Sequence, residues 1–265
     1  MKKFISISTI VLALTFIYAP IILLFIYSFT ESKVIGVWEG FSLELYLELF
    51  TVEKLKNMIF NTLTLALLAA FISTVLGTLG AIGIYYNKKI LGKFTKSASQ
   101  IPVINAEIVT AISLTLLFTV ISIGESYISL LIGHVVLCTP FVVLSVLPKL
   151  KQMDPSLYEA ALDLGATPTQ ALFKVIIPEI LPGIFSGFML AITLSLDDYM
   201  ITAYTKPREF ETISTYVFGA LKKPKNSYLP ALRALSSLIF IVMIVVVAVM
   251  NMRTTKEQKE LKYKK

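Results

Sequence analysis

The chain has 265 residues, 56% of them hydrophobic and 15% charged, with a net charge of +7 and a mean hydropathy of +0.78. A soluble domain is about 45–50% apolar and roughly 25% charged, so much of this apolar surface must face lipid rather than water. A single cysteine, Cys138, and a single histidine, His134, exclude a disulfide framework, a thiolate cluster and a multi-histidine metal site, and lysines scattered between apolar runs make no case for nucleic acid.

Six apolar runs are long enough to cross a bilayer, covering residues 7–29, 61–86, 101–121, 127–147, 181–204 and 232–251. A span takes about 20 residues, and in hydrocarbon it must be a helix, because only a helix satisfies its own backbone hydrogen bonds. The predicted class is therefore all-α: a polytopic transmembrane bundle, one domain over residues 1–265. The first run follows Met1-Lys2-Lys3 but is longer than a signal h-region and has no small-x-small cleavage site after it. It reads as an uncleaved span, kinked at Pro20. Gly77, Gly80 and Gly83 in the second run read as close helix packing.

Both termini are expected in the cytoplasm. That topology gathers Lys2, Lys3, Lys88, Lys89, Lys93, Lys96, Lys149, Lys151, Lys174 and the basic tail on the inner side. Outside, residues 43–50 form an amphipathic stretch expected to lie along the membrane surface. Residues 205–231 are polar and carry Pro207, Pro224 and Pro230. The tail 253–265 alternates charge signs and is expected to be solvated and mobile.

The inner loop 149–178 reads as two short helices joined by a bend. Asp154 can cap the first, with Pro155 at its first turn, and Gly165 ends it. Thr167 caps the second, with Pro168 at its first turn. Leu157, Ala160, Ala161 and Leu164 form a compact apolar face, suited to a groove on another protein or to packing on the chain's own bundle.

Within that loop, Glu159-Ala160-Ala161 is followed by Gly165 and then by Val175, Ile177 and Pro178. This pattern resembles the EAA loop of ABC importer permeases of the binding-protein-dependent type, with Val175 and Ile177 standing where the family has Ile and Leu. The stretches Val37-Trp38-Glu39-Gly40-Phe41, Glu107 to Leu114, Pro140 to Val143 and Thr193 to Asp198 are similar to the spermidine/putrescine branch of that family. The resemblance implies the ABC importer permease fold, and a coupling role toward a cytoplasmic ATPase for Glu159, Ala160, Ala161 and Gly165. It also implies a heterodimer with a homologous permease, two copies of the ATPase and an extracytoplasmic polyamine-binding protein, in the inner membrane of a bacterium. No phosphate-binding G-x-x-x-x-G-K-[ST] loop occurs, so no cofactor is expected here, and ATP and Mg belong to the separate ATPase.

Asp197 and Asp198 stand out as adjacent charges roughly 22–24 Å beyond Pro182 in the fifth run, in its outer half. An Asp at a span centre costs about 2.5–3.5 kcal/mol, and the C-terminal end of a helix disfavours anions further. A cationic substrate would relieve both penalties; solvation at the interface is the alternative. Glu107, nearer the inner side, is either a third cation ligand or the partner of a basic group on another subunit. Ser195 could accept from an ammonium group or bond its own helix carbonyl. Tyr199 and Tyr204 offer ring faces to a cation or anchor the interface, and Trp38 either anchors the outer loop or takes part in gating. His134 reads as a helix-to-helix hydrogen-bonding residue rather than a proton relay, Cys138 as a small buried residue, and Arg233 as snorkelling to the interface.

The expected function is a permease subunit of an ATP-driven importer for polyamines, not an enzyme. The alternatives are a permease for a metal complex or another small solute, and a secondary transporter with the acids as a relay. A secondary transporter would leave the Glu159 loop without a role.

Overall fold

The computed structural model describes residues 2–32, 34, 36–87, 97, 101, 103–222, 230–241 and 244. Among these the fold is helical, and the one β pairing is an isolated antiparallel bridge between Thr30 and Phe41. The basic residues Lys88, Lys89, Lys93 and Lys96, Pro224, the end of the sixth run and the tail 253–265 lie outside the described residues. Two compact units are distinguished, residues 1–57 with 219–265, and residues 58–218.

In the first unit, α1 (Lys2–Ile26) contains Pro20 and ends in a tight turn at Tyr27–Phe29. From Ile7 onward its large apolar side chains are exposed, Phe16 and Leu12 most of all, as lipid-facing side chains would be. A small hairpin follows. Ser42 N–H donates to the Phe29 carbonyl at 2.8 Å, and Thr30 Oγ1 accepts from the amides of Ser32 and Glu39. The rings of Phe29 and Phe41 stack beneath it at 5.7 Å. The predicted amphipathic stretch is α2 (Glu44–Thr51). It does not lie free: Leu45 and Leu49, one turn apart, are both buried, while Leu47 and Phe50 are exposed. Arg233 departs from expectation. It is 7% exposed and does not snorkel; its guanidinium donates to the carbonyls of Ser32 at 3.1 Å and Tyr27 at 3.4 Å. Those carbonyls lie in a tight turn and at the start of the hairpin loop, where a cation with several donors is a suitable neighbour.

The second unit holds most of α3 (Glu53–Tyr86), then α4 (Glu107–Val120), α5 (Tyr127–Gln152), α6 (Ser156–Asp163), α7 (Pro168–Asp197), α8 (Met200–Thr205) and the start of α9 (Ile213–Lys222). Its centre is α5. Leu130, His134, Cys138, Val142, Val146 and Leu150, spaced four apart, are each 0% exposed and form one buried stripe. Neighbouring helices reach that stripe through small residues. A Cβ on Gly77 of α3 would stand 2.6 Å from Val142 Cβ, and one on Gly187 of α7 would stand 3.2 Å from Val142 Cα. A Cβ on Gly133 of α5 would stand 2.5 Å from Ile201 of α8. Of the predicted glycine series, Gly77 marks the closest approach, Gly80 has only an ordinary contact, and Gly83 faces nothing within 4 Å.

Among the described residues, four helical segments are long and apolar enough to cross a membrane: residues Ile7–Phe29, α3, α5 and α7. Two predicted spans are broken. The run 101–121 is interrupted at Asn105–Ala106, leaving α4 with 14 residues, about 21 Å, shorter than a hydrocarbon core of about 30 Å. The run 181–204 is not one helix either: α7 begins at Pro168, passes through a π-helical turn at Leu172–Ile176 and stops at Asp197, and α8 resumes at Met200. A further helix, α10 (Pro230–Ile241), opens the sixth run.

Gly133→Val is expected to lower the melting temperature of the purified protein, because overpacking against Ile201 costs about 1–3 kcal/mol. Gly83→Ala, facing open space, is expected to leave it unchanged; thermal unfolding in detergent compares the two.

Candidate substrate and coupling sites

The chain leaves the helical path at Asp198, whose φ of −63° and ψ of 124° end α7. In an apolar surrounding such a break needs new hydrogen-bond partners, since each helix end leaves four backbone groups unsatisfied. Asp198 supplies acceptors for the start of α8. Its Oδ1 accepts from Ile201 N–H at 3.2 Å, and its Oδ2 accepts from Thr202 N–H at 2.8 Å and Thr202 Oγ1–H at 2.9 Å. Its carbonyl accepts from Ser214 Oγ at 2.6 Å. At the far end of α8, Thr115 Oγ1 donates to the Tyr204 carbonyl and Ser129 Oγ to the Thr205 carbonyl, both at 3.0 Å.

His134 joins the two sides of the break. Its Nδ1 lies 2.8 Å from Ser195 Oγ on α7, and its Nε2 lies 2.9 Å from Thr202 Oγ1 on α8 and 3.5 Å from Asp198 Oδ2. The expectation that His134 hydrogen-bonds between helices is met in both directions. Cys138, one turn further along α5, is buried as expected, with its thiol against the Ala191 carbonyl.

The adjacent acids therefore have different surroundings. Asp198 is 6% exposed and fully engaged, and hydrogen bonds to a charged acceptor contribute about 1.5–3 kcal/mol each, enough to offset its burial. Asp197 is exposed, at the C-terminal end of α7, where the helix dipole disfavours a negative charge. Ser195 is 3% exposed and bonded to His134, so its hydroxyl faces inward. The ring of Tyr199 is half-buried and stacks on Phe218 at 4.0 Å, which covers one of its two faces.

Glu107 is not at a different depth from the aspartates. α4 lies alongside α8 in the same direction, with Ala111 packed near Ile201 and Thr115 bonded to Tyr204, so the first turn of α4 reaches the level of Asp198. Glu107 is exposed there, within electrostatic range of Asp198 and Asp197. Each acid stands next to a helix break, Glu107 after that at 105–106 and the aspartates at that of 198–199. Trp38 belongs to the other unit, half-exposed in the hairpin loop.

The inner loop folds as its local signals require. Asp154 Oδ1 accepts from Ser156 N–H at 2.9 Å and Ser156 Oγ–H at 2.8 Å. Gly165 takes φ +85°, and the bonds Ala166 N–H to Ala161 O and Gly165 N–H to Leu162 O close a Schellman turn. Thr167 and Gln170 form a reciprocal capping box ahead of Pro168. Glu159, Ala160, Leu157 and Leu164 are exposed, with Leu164 at 89%, while Ala161 turns inward. The loop presents an apolar, small-residue face that the described residues leave uncovered.

Residues 73–255 match the family model of binding-protein-dependent transport system inner membrane components. The chain belongs to this family. Among its curated relatives it is 34% identical over 237 residues to the putrescine transport system permease protein PotI of Escherichia coli K12, covering 85% of this chain and 83% of that protein. It is 35% identical over 208 residues to the spermidine/putrescine transport system permease protein PotC of Haemophilus influenzae, covering 78% and 80%. A solved bacterial alginate ABC transporter, in complex with its alginate pentasaccharide-bound periplasmic protein, shares the fold at TM-score 0.69 and 19% identity, over 95% of this chain and 94% of that one. This permease thus has the ABC importer fold, and its family is one of transport components rather than enzymes.

Thr202, Ser214 and Thr115 escaped sequence reading. The signal available for the first was an Asp with Thr four residues on, a capping pattern hidden inside an apolar run.

Two outcomes are expected for the permease. Asp198→Ala removes the acceptor for α8 and should lower stability by about 0.5–2 kcal/mol or more, whereas Asp197→Ala should not; denaturation in detergent tells them apart. Ser156 N–H, and then its hydroxyl, hold the exposed Asp154 carboxyl below its ordinary value. That cap is complete above the ordinary carboxylate pKa of about 3.9 and is lost only as pH falls through the lowered native value. Limited proteolysis of the 149–178 loop should therefore be unchanged between pH 8 and pH 5, and faster at both in Asp154→Ala.

Proposed function

We propose that this chain is a polyamine permease subunit of an ATP-driven importer in the bacterial inner membrane. The observation that carries this reading is Asp197: an exposed carboxylate at the C-terminal end of a spanning helix, with Glu107 within electrostatic range and no cation paired to either among the described residues. A flexible polycation suits spaced carboxylates, and the names of the relatives PotI and PotC point the same way.

In this reading residues 1–265 form one transmembrane domain with six spans and both termini cytoplasmic, as the lysine distribution favours. Asp197, Glu107 and Tyr199 face the cargo, Asp198 and Ser195 serve the site through the framework that holds it, and Trp38 acts in substrate entry. Glu159, Ala160, Ala161 and Gly165 carry the coupling contact to the ATPase. The uncovered apolar face of α6 supports that assignment, since a groove on a partner would take it. The partners are a homologous permease, two ATPase copies and an extracytoplasmic polyamine-binding protein. ATP and Mg sit on the ATPase, and this chain binds no cofactor.

The test is uptake of labelled putrescine and spermidine by the complete transporter in proteoliposomes. Asp197→Asn should reduce uptake roughly tenfold or more, the loss of about 1.4 kcal/mol. Gly165→Pro should abolish ATP-dependent uptake. Wild-type uptake by Asp197→Asn would sink the cation site, and failure of either polyamine to be transported by the unaltered complex would sink the substrate class.

A further inference from the structure

We propose that His134 is a positioning residue for transport: by bonding both sides of the break in the fifth span it sets where Asp197 stands toward the cargo. The proposal rests on the reading that Asp197 faces a cationic substrate.

Its basis is the direction of the hydrogen bonds. A carboxylate only accepts, and Asp198 Oδ2 lies 2.9 Å from Thr202 Oγ1. The Asp198 carbonyl is 3.2 Å from the same hydroxyl, so whichever acceptor it uses, the single Thr202 proton goes to Asp198. Thr202 Oγ1 must then accept from His134 Nε2–H at 2.9 Å. With Nε2 as the donor, Nδ1 of the neutral ring accepts from Ser195 Oγ–H at 2.8 Å. A directed chain runs from Ser195 on α7 through His134 on α5 and Thr202 on α8 to Asp198. Every side chain in it is buried: His134 and Thr202 are 0% exposed, Ser195 3% and Asp198 6%.

The chain ties down three points around Asp197. Ser195 precedes it by two residues, Asp198 follows it, and Thr202 lies in the first turn of α8. Without the ring, only the Asp198 cap and the link through Tyr199 join the end of α7 to α8, Ser195 is no longer tied to that junction, and the carboxylate of Asp197 loses its fixed direction. A merely structural residue would hold the bundle together; this one fixes the angle between two helix ends that carry an acid at their junction. An outlying residue that aims a functional group acts on the productive geometry rather than on folding.

The complete transporter, with its partner permease, ATPase and polyamine-loaded binding protein, is reconstituted in proteoliposomes, and putrescine transported per ATP hydrolysed is measured. His134→Leu and Thr202→Val are expected to lower this ratio between about tenfold and a hundredfold, the scale on which a misplaced positioning group acts, with ATP hydrolysis nearly unchanged. Thr202→Ser, which keeps the hydroxyl, should restore it. In an Asp197→Asn background neither substitution should lower the ratio further, because the group they aim is already lost. Parallel loss of transport and hydrolysis, a multiplicative effect on top of Asp197→Asn, or wild-type behaviour of Thr202→Val would each overturn the positioning role. Wild-type transport by Asp197→Asn alone would instead remove the substrate reading beneath it. Should His134→Leu fail to assemble, the comparison of Thr202→Val with Thr202→Ser decides the question by itself.

Discussion

A helix interrupted in apolar surroundings exposes amides and carbonyls that water cannot satisfy, and the arrangement around residues 197–205 meets that demand. Asp198 takes the amides at the start of α8, while Thr115 and Ser129 take the carbonyls at its end. An unsatisfied buried polar group costs about 1–3 kcal/mol, so an open break would have been destabilising several times over. Once the break is satisfied, α8 packs closely on α5 through Gly133 and beside α4 through Ala111. The break is thus a stable element of the fold, and it delivers a charged residue to a span's end.

Two neighbouring carboxylates show how environment divides labour between identical groups. Asp198 is capping, buried and fully bonded, so it requires no external cation. Asp197 has none of these compensations and sits against an unfavourable helix dipole. Glu107 differs again: it stands exposed in the first turn of α4, the end of a helix at which the dipole favours a negative charge. The cluster therefore combines one buried acid committed to structure with two that are exposed.

The inner loop follows a different logic. Its Asp154 and Thr167 caps, its Gly165 turn and its two short helices are decided by residues two to five positions apart. Its apolar face is left uncovered by the described residues, whereas the buried stripe of α5 is covered on several sides through small residues. One face is covered and the other is exposed among the described residues.

These differences explain what could be read from the amino-acid sequence. Apolar runs established an all-helical membrane protein, and local capping signals established the inner loop, because both depend on neighbours in the chain. The acids at 107, 197 and 198 were visible as misplaced charges. Their division of roles was not, since His134 meets Ser195 and Thr202 across 61 and 68 residues. The helix breaks were hidden as well: hydropathy is the same whether a run is one helix or two. Only the tertiary structure, by supplying partners for the freed backbone groups, decided where the helices stop and which carboxylate remained free.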